Sequence, residues 1–220
     1  MKLPTGFLIG SIAYAVLRGP KYTAQLEGAD MHADVNIGSM EFMVNEKSVE
    51  QRQKQGLFIS IIRAAFMEYG IIQKKTEQSD EISRLGYALL QFVMDNPMYW
   101  IKTELKPPSV FHIGCTTYEL DMSEEAKAYL DGAGLWGIAQ YNDCKIMLDP
   151  EIAPPKLQET LLHEIVHAIL NTYFLDNTEE IVYRLTPVLF QLFRENDFTW
   201  IRADDPSCNT DCDTCNTPIC

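Results

Sequence analysis

The sequence predicts an α+β protein built from two tandem copies of one unit. Each copy is expected to hold a small antiparallel sheet, a hairpin plus one strand, followed by two helices. Three observations carry this reading. The chain matches itself at a constant offset. Each copy places short apolar runs ahead of two long stretches with helical periodicity. Turn-forming residues fall at corresponding positions in both copies.

Displaced by 104 residues, Pro4, Phe7, Ile9, Gly10 and Tyr14 fall on Pro108, Phe111, Ile113, Gly114 and Tyr118. Ala24, Leu26, Gly28 and Ala29 fall on Ala128, Leu130, Gly132 and Ala133, and Met43, Leu57, Ala64 and Tyr69 on Met147, Leu161, Ala168 and Tyr173. Beyond a longer loop near 72–79 the offset becomes 100: Arg84, Leu85, Leu89, Gln91, Asn96, Trp100 and Ile101 fall on Arg184, Leu185, Leu189, Gln191, Asn196, Trp200 and Ile201.

The first strand is expected over 7–17 and 111–121. Lys2 and the apolar run 6–17 resemble a leader peptide, but the run recurs at 110–121, where no leader can lie, so a strand is the better reading. A partly helical stretch follows. Two short strands come next, over 32–37 and 40–45 and again over 136–141 and 144–149. Gly38-Ser39 and Asn142-Asp143 lie between them and suit tight turns, since Gly and Asn tolerate positive φ. A long helix is expected over 50–70 and 155–175; Pro154 and Pro155 suit its first turn, where a missing N–H costs nothing. A second helix is expected over 79–96 and 178–196. The boundary falls near Lys106-Pro107-Pro108, which divides the chain into copies 1–105 and 106–202 and a polar tail, 203–220, expected to be flexible.

Composition narrows the function classes. With 220 residues, 46% of them hydrophobic, the chain can bury a core without staples and is neither disordered nor fibrous. Its net charge of −13 argues against direct nucleic-acid binding and against anionic membranes, which need clustered cations. Most of the excess acid lies beyond residue 104. No apolar run is long enough to span a bilayer. Six cysteines, four of them in the tail, do not make a disulfide framework, so the expected compartment is the cytoplasm.

The chemistry concentrates in one helix of copy two. His163-Glu164-Ile165-Val166-His167 is an H-E-x-x-H motif in a chain with only four His. On a helix, positions i and i+4 share a face, so both imidazoles can reach one Zn2+ ion, with Glu164 beside it as general base. The flanks Leu161, Leu162, Ile165, Val166, Ala168, Ile169 and Leu170 make the helix largely buried, where two His and a Glu cost several kcal/mol unless paired or metal-bound. Copy one has Ile59, Ser60 and Arg63 at the aligned positions, so packing of this helix does not require the polar residues.

A catalytic zinc needs a third protein ligand. Asp176, Glu179 and Glu180 follow the motif helix; Glu180 is favoured and Glu179 is next, although Glu180 could instead close a capping box with Asn177. His112, on a strand, and His32, in copy one, are read as outside the site. Cys115 and Cys144 are read as buried, inert strand thiols. Cys208, Cys212, Cys215 and Cys220 have spacing that can hold Zn2+ or form disulfides; the alternative is a flexible polar tail with chance cysteines.

The segment Leu161–Asn196, with His163-Glu164-Ile165-Val166-His167 followed by Glu179-Glu180-Ile181-Val182-Tyr183-Arg184, resembles the small phage and prophage zinc peptidase-like proteins related to the ImmA/IrrE metallopeptidases. The resemblance covers about 111–196, and 7–96 as a degenerate copy. It implies His163, His167 and Glu180 as zinc ligands and Glu164 as general base, a gluzincin-like set acting on a protein or peptide substrate. Better-known members cleave DNA-binding repressors, which would make this a regulatory protein of a phage or mobile element. The doubled chain and the lack of an Ala-Asn-rich continuation in the second helix depart from that pattern. Tyr183 or Arg184 would stabilise the oxyanion; Arg84 aligns with Arg184 in the copy without a site, which favours a structural arginine. Copy one is expected to pack on copy two as a pseudo-dimer partner or to shape the cleft. The alternative function is a non-catalytic, zinc-containing binding or assembly module.

Overall fold

The computed structural model describes residues 3–72, 79–103 and 105–202. The tail cysteines Cys208, Cys212, Cys215 and Cys220 lie outside the described residues. The first copy runs β1 (Gly6–Ile9), β2 (Ile12–Leu17), α1 (Pro20–Glu27), β3 (Ala33–Asn36), β4 (Glu41–Val44), α2 (Glu50–Glu68), α3 (Ser79–Asp95) and the single turn α4 (Tyr99–Lys102). The second repeats it as β5 (Val110–Ile113), β6 (Thr116–Asp121), α5 (Glu124–Ala133), β7 (Gly137–Gln140), β8 (Lys145–Leu148), α6 (Pro154–Thr172), α7 (Glu179–Glu195) and a 3-10 turn, Thr199–Ile201. The architecture is α+β, two four-stranded sheets each followed by helices. Among the described residues no helix is long and apolar enough to cross a membrane.

The sheets differ from expectation in three ways. The single first strand is a hairpin: Ile9 pairs with Ile12 and Ile113 with Thr116, leaving two-residue loops. Gly10 and Gly114 take φ 60 and 61°, the positive-φ first position that a type II′ turn gives to glycine. The sheets are also mixed rather than antiparallel. Their orders are β1-β2-β4-β3 and β5-β6-β8-β7, with β2·β4 and β6·β8 parallel. The intervening helix, α1 or α5, carries the chain across so that the later hairpin returns with its second strand beside β2 or β6. Finally, that hairpin does not turn tightly on Gly38-Ser39 or Asn142-Asp143. Asn36 pairs with Glu41 and Gln140 with Lys145, leaving four-residue loops whose positive φ falls on Met40 (55°) and Cys144 (48°). These residues aim their carbonyls at the neighbouring strand, accepting from the Ala15 and Glu119 N–H groups at 3.0 and 2.9 Å.

The two copies share one hydrophobic core, with Phe7, Ile9, Phe42, Phe58 and Leu57 of the first continuous with Phe111, Ile113, Ile146, Leu161 and Ile165 of the second. They also interlock reciprocally. Asn96, at the end of α3, accepts from the His112 N–H (2.7 Å) and donates to the His112 carbonyl (2.6 Å), bonding the outer edge of β5 as a strand would. Asn196, at the end of α7, does the same for Leu8 of β1, at 2.7 Å each way. Both asparagines are buried, which makes these bonds costly to break. Arg84 donates to the Tyr173 carbonyl (2.6 Å) and Arg184 to that of Gly70 (3.3 Å). The Tyr173 hydroxyl donates to Gln91 and the Tyr69 hydroxyl to Gln191. Trp100 packs edge-on to Phe111 and Trp200 against Phe7. Many residues that recur at constant offset are therefore the ones that meet across the copies.

Candidate metal centre

Helix α6 begins with prolines in its first turn and buries Leu161, Leu162, Ile165, Val166, Ala168, Ile169 and Leu170. It carries His163, Glu164 and His167. One turn apart, the two imidazoles sit with centroids 4.8 Å apart and Nε2 atoms 3.2 Å apart. His163 is held below the usual histidine value, first by burial and then by His167, which favours the neutral, ligating form.

The next carboxylate comes from the start of α7, and it belongs to Glu179 rather than the favoured Glu180. Glu179 Oε2 lies 3.4 Å from His163 Nε2 and its Oε1 lies 3.2 Å from His167 Nε2. Together His163, His167 and Glu179 offer three ligand atoms within 4.8 Å of one another. Glu180 is exposed and is not part of that cluster. The reason is the helix start. Thr178, not Asn177, is the N-cap, and its side chain makes no cap bond, so Glu179 is the first helical residue and Glu180 is turned about 100° away. The capping box of Asn177 with Glu180, the alternative to a ligand role for Glu180, is not formed. Asp176 accepts from the Thr178 N–H at 3.2 Å and stays out of the cluster. Asn177 instead bonds His167 Nδ1 (2.8 Å) and donates to the Tyr141 hydroxyl (2.9 Å).

Glu164 is 7% exposed. Burial pushes its carboxyl up from 4.5 to about 7, and the charge of Glu179 adds to the rise, while a hydrogen bond from the Ala139 backbone opposes it. Gly137, on the same strand, leaves room for this side chain. A Cβ there would lie 2.8 Å from Leu148, 2.9 Å from Thr160 and 3.1 Å from Glu164 Cγ. Copy one solves the same close approach with glycine on the helix: a Cβ on Gly56 would lie 3.0 Å from the Ala33 nitrogen. Gly56 aligns with Thr160 and Ala33 with Gly137, so only copy two keeps the strand bare beneath its helix side chains. At the aligned centre of copy one, Arg63 lies 3.9 Å from Asp34 and Ile59 is buried.

The Tyr183 ring lies 4.9 Å from the His163 ring and is 68% exposed, on the solvent side of the centre. Arg184 reaches the Gly70 carbonyl in the other copy and is bound there. His112 Nδ1 meets Thr117 (3.2 Å) and His32 Nδ1 meets Ser48 (2.9 Å); neither joins the cluster. Cys115 is exposed in the β5–β6 turn and Cys144 is half-buried in the β7–β8 loop, so neither is the buried strand thiol that was expected. Sequence reasoning missed Tyr141, Gly137 and the bond between Asn177 and His167. Comparison with protein-family models, with curated proteins and with solved structures finds no match.

The raised Glu164 carboxyl has a measurable consequence. A carboxyl that holds its proton more tightly when folded carries no penalty below its unfolded value near 4.5, and a growing one as pH rises through about 7. Metal-free Glu164→Gln protein is thus expected to melt above metal-free wild type at pH 8, by about 2–3 kcal/mol. The margin should vanish near pH 4.5. Thermal melts across that range check this; an equal margin at both ends would contradict it.

Proposed function

We propose that the protein is a zinc-dependent peptidase with His163, His167 and Glu179 as metal ligands and Glu164 as general base. One observation carries the reading. Zn–N bonds of about 2.0–2.1 Å in a tetrahedron put neighbouring ligand atoms about 3.3–3.4 Å apart. The His163 and His167 Nε2 atoms are 3.2 Å apart, close to that spacing, and Glu179 faces each of them with a different oxygen, Oε2 3.4 Å from His163 and Oε1 3.2 Å from His167; one ligand atom from each of the three residues lies within 4.8 Å of the other two. Two imidazole nitrogens and a carboxylate aimed at one another are mutually repulsive as bare acceptors, so a cation or a proton must lie among them. Nitrogen and oxygen donors in a fourfold arrangement with one position left for water suit zinc.

Zinc held there supplies Lewis-acid polarisation and makes water nucleophilic at neutral pH. The remaining work falls to the chain. Glu164, buried next to His163 on α6, takes a proton from the attacking water and passes it to the leaving amine. The Ala139 amide holds that carboxylate against β7. β7 lies at the end of its sheet, with β8 on one side. Its other edge offers backbone groups to an extended chain, which favours a peptide over a compact substrate. Arg184, fixed to the other copy, has no part in this chemistry.

The test is incubation of the zinc-loaded protein with a library of unstructured peptides, reading new termini by mass spectrometry. Cleavage that a chelator abolishes and zinc restores is expected. A library left intact by the zinc-loaded protein would overturn the peptidase reading.

A further inference from the structure

Asn177 is half-buried in the segment joining α6 to α7, with its side chain between His167 of α6 and Tyr141 of the β7–β8 loop. Its amide has a fixed polarity: one end only accepts and the other only donates. The donating Nδ2 faces the Tyr141 hydroxyl at 2.9 Å, and the accepting Oδ1 faces His167 Nδ1 at 2.8 Å. Tyr141 lies in the loop after β7, and its backbone carbonyl accepts a thiol contact from Cys144 within that loop. We infer that Asn177 is a positioning residue, anchored by Tyr141, that holds His167 in the Nδ1–H form so that its bare Nε2 faces His163 and Glu179.

The inference rests on the metal ligands proposed above and adds the group that orients one of them. An acceptor on the far nitrogen of a ligating imidazole fixes its tautomer and ring direction, and removing such a partner typically weakens metal binding by about 10- to 100-fold. Asn177 does this from the segment that also delivers Glu179, two residues on, so one short stretch supplies a ligand and orients another. The anchor matters because an amide released from Tyr141 can rotate end for end, presenting a donor to His167 and favouring the Nε2–H form.

Two measurements test this. The first is long-range 1H–15N correlation of the histidine rings in metal-free protein, where His167 is expected as the Nδ1–H tautomer; an Nε2–H tautomer would overturn the inference. The second is zinc affinity by competition with a chromogenic chelator. Asn177→Ala is expected to lose about 10- to 100-fold. Asn177→Asp, whose carboxylate still accepts from Nδ1–H, is expected to recover most of it. A residue that only braced the segment would move the melting temperature without this rescue. Wild-type affinity in a folded Asn177→Ala protein, or equal loss in Ala and Asp, sinks the positioning role alone. If wild type and the His163→Ala/His167→Ala variant hold zinc equally weakly, the metal centre fails and this inference fails with it.

Discussion

Glu164→Gln is expected to keep the metal and lower peptide hydrolysis by about 10²–10⁴-fold, the range for removing a positioned general base. The substitution is close to isosteric. Glutamine can still accept the Ala139 backbone hydrogen bond that holds Glu164, and its Cγ can pack against Gly137 as that of glutamate does. What it lacks is the proton affinity. A carboxylate can take a proton from water and release it to an amine within one turnover, and an amide cannot. Zinc content and melting temperature of the variant, measured beside its activity, separate loss of chemistry from loss of fold. Undiminished hydrolysis would remove Glu164 from the mechanism; loss of zinc together with activity would recast it as a structural partner of the ligands.

The second large effect concerns the copy without a site. The 106–202 fragment alone is expected not to fold cooperatively. On its own, β5 loses the Asn96 side chain that bonds its edge, and Phe111 loses Trp100 and Phe92. Phe198 loses Phe7 and Phe58, and Trp200 loses Phe7. Truncating a buried Phe or Trp typically costs about 3–5 kcal/mol, and a whole domain is stable by about 5–15 kcal/mol. Stripping the partners from three such residues therefore consumes the margin. Circular dichroism of the fragment should show no cooperative melt, and mixing with 1–105 should restore one. A fragment that melts cooperatively close to the full chain would mean that the interlock contributes little.

Much of this was legible in the sequence. The helices α2, α3, α6 and α7 lie within three residues of their expected spans, because long stretches with helical periodicity depend mostly on local pattern. The motif residues followed from the same periodicity. The parallel pairing of β2 with β4 was not legible, since it depends on where α1 sends the chain and leaves no local mark. Neither was the break at Gly10, which sits inside an apolar run that reads as one strand. Glu179 and Glu180 are adjacent carboxylates, and the choice between them turns on whether Asn177 or Thr178 caps α7. A shift of one residue at the cap rotates the presented side chain by about 100°. Asn177 itself looked like a cap because its true partner, His167, is brought to it only when α6 and α7 pack. The recurring Asn, Tyr, Gln, Arg and Trp residues were visible as a repeat, but a repeat alone does not say that its members meet across the copies.

Zinc counted per chain after removal of excess metal tests directly whether His163, His167 and Glu179 hold one metal ion. One zinc per chain is expected in wild type, none in His163→Ala/His167→Ala, a weakened site in Glu179→Gln and a full one in Glu180→Gln. Zinc retained in full by the double histidine variant, or lost with Glu180 rather than Glu179, would contradict it.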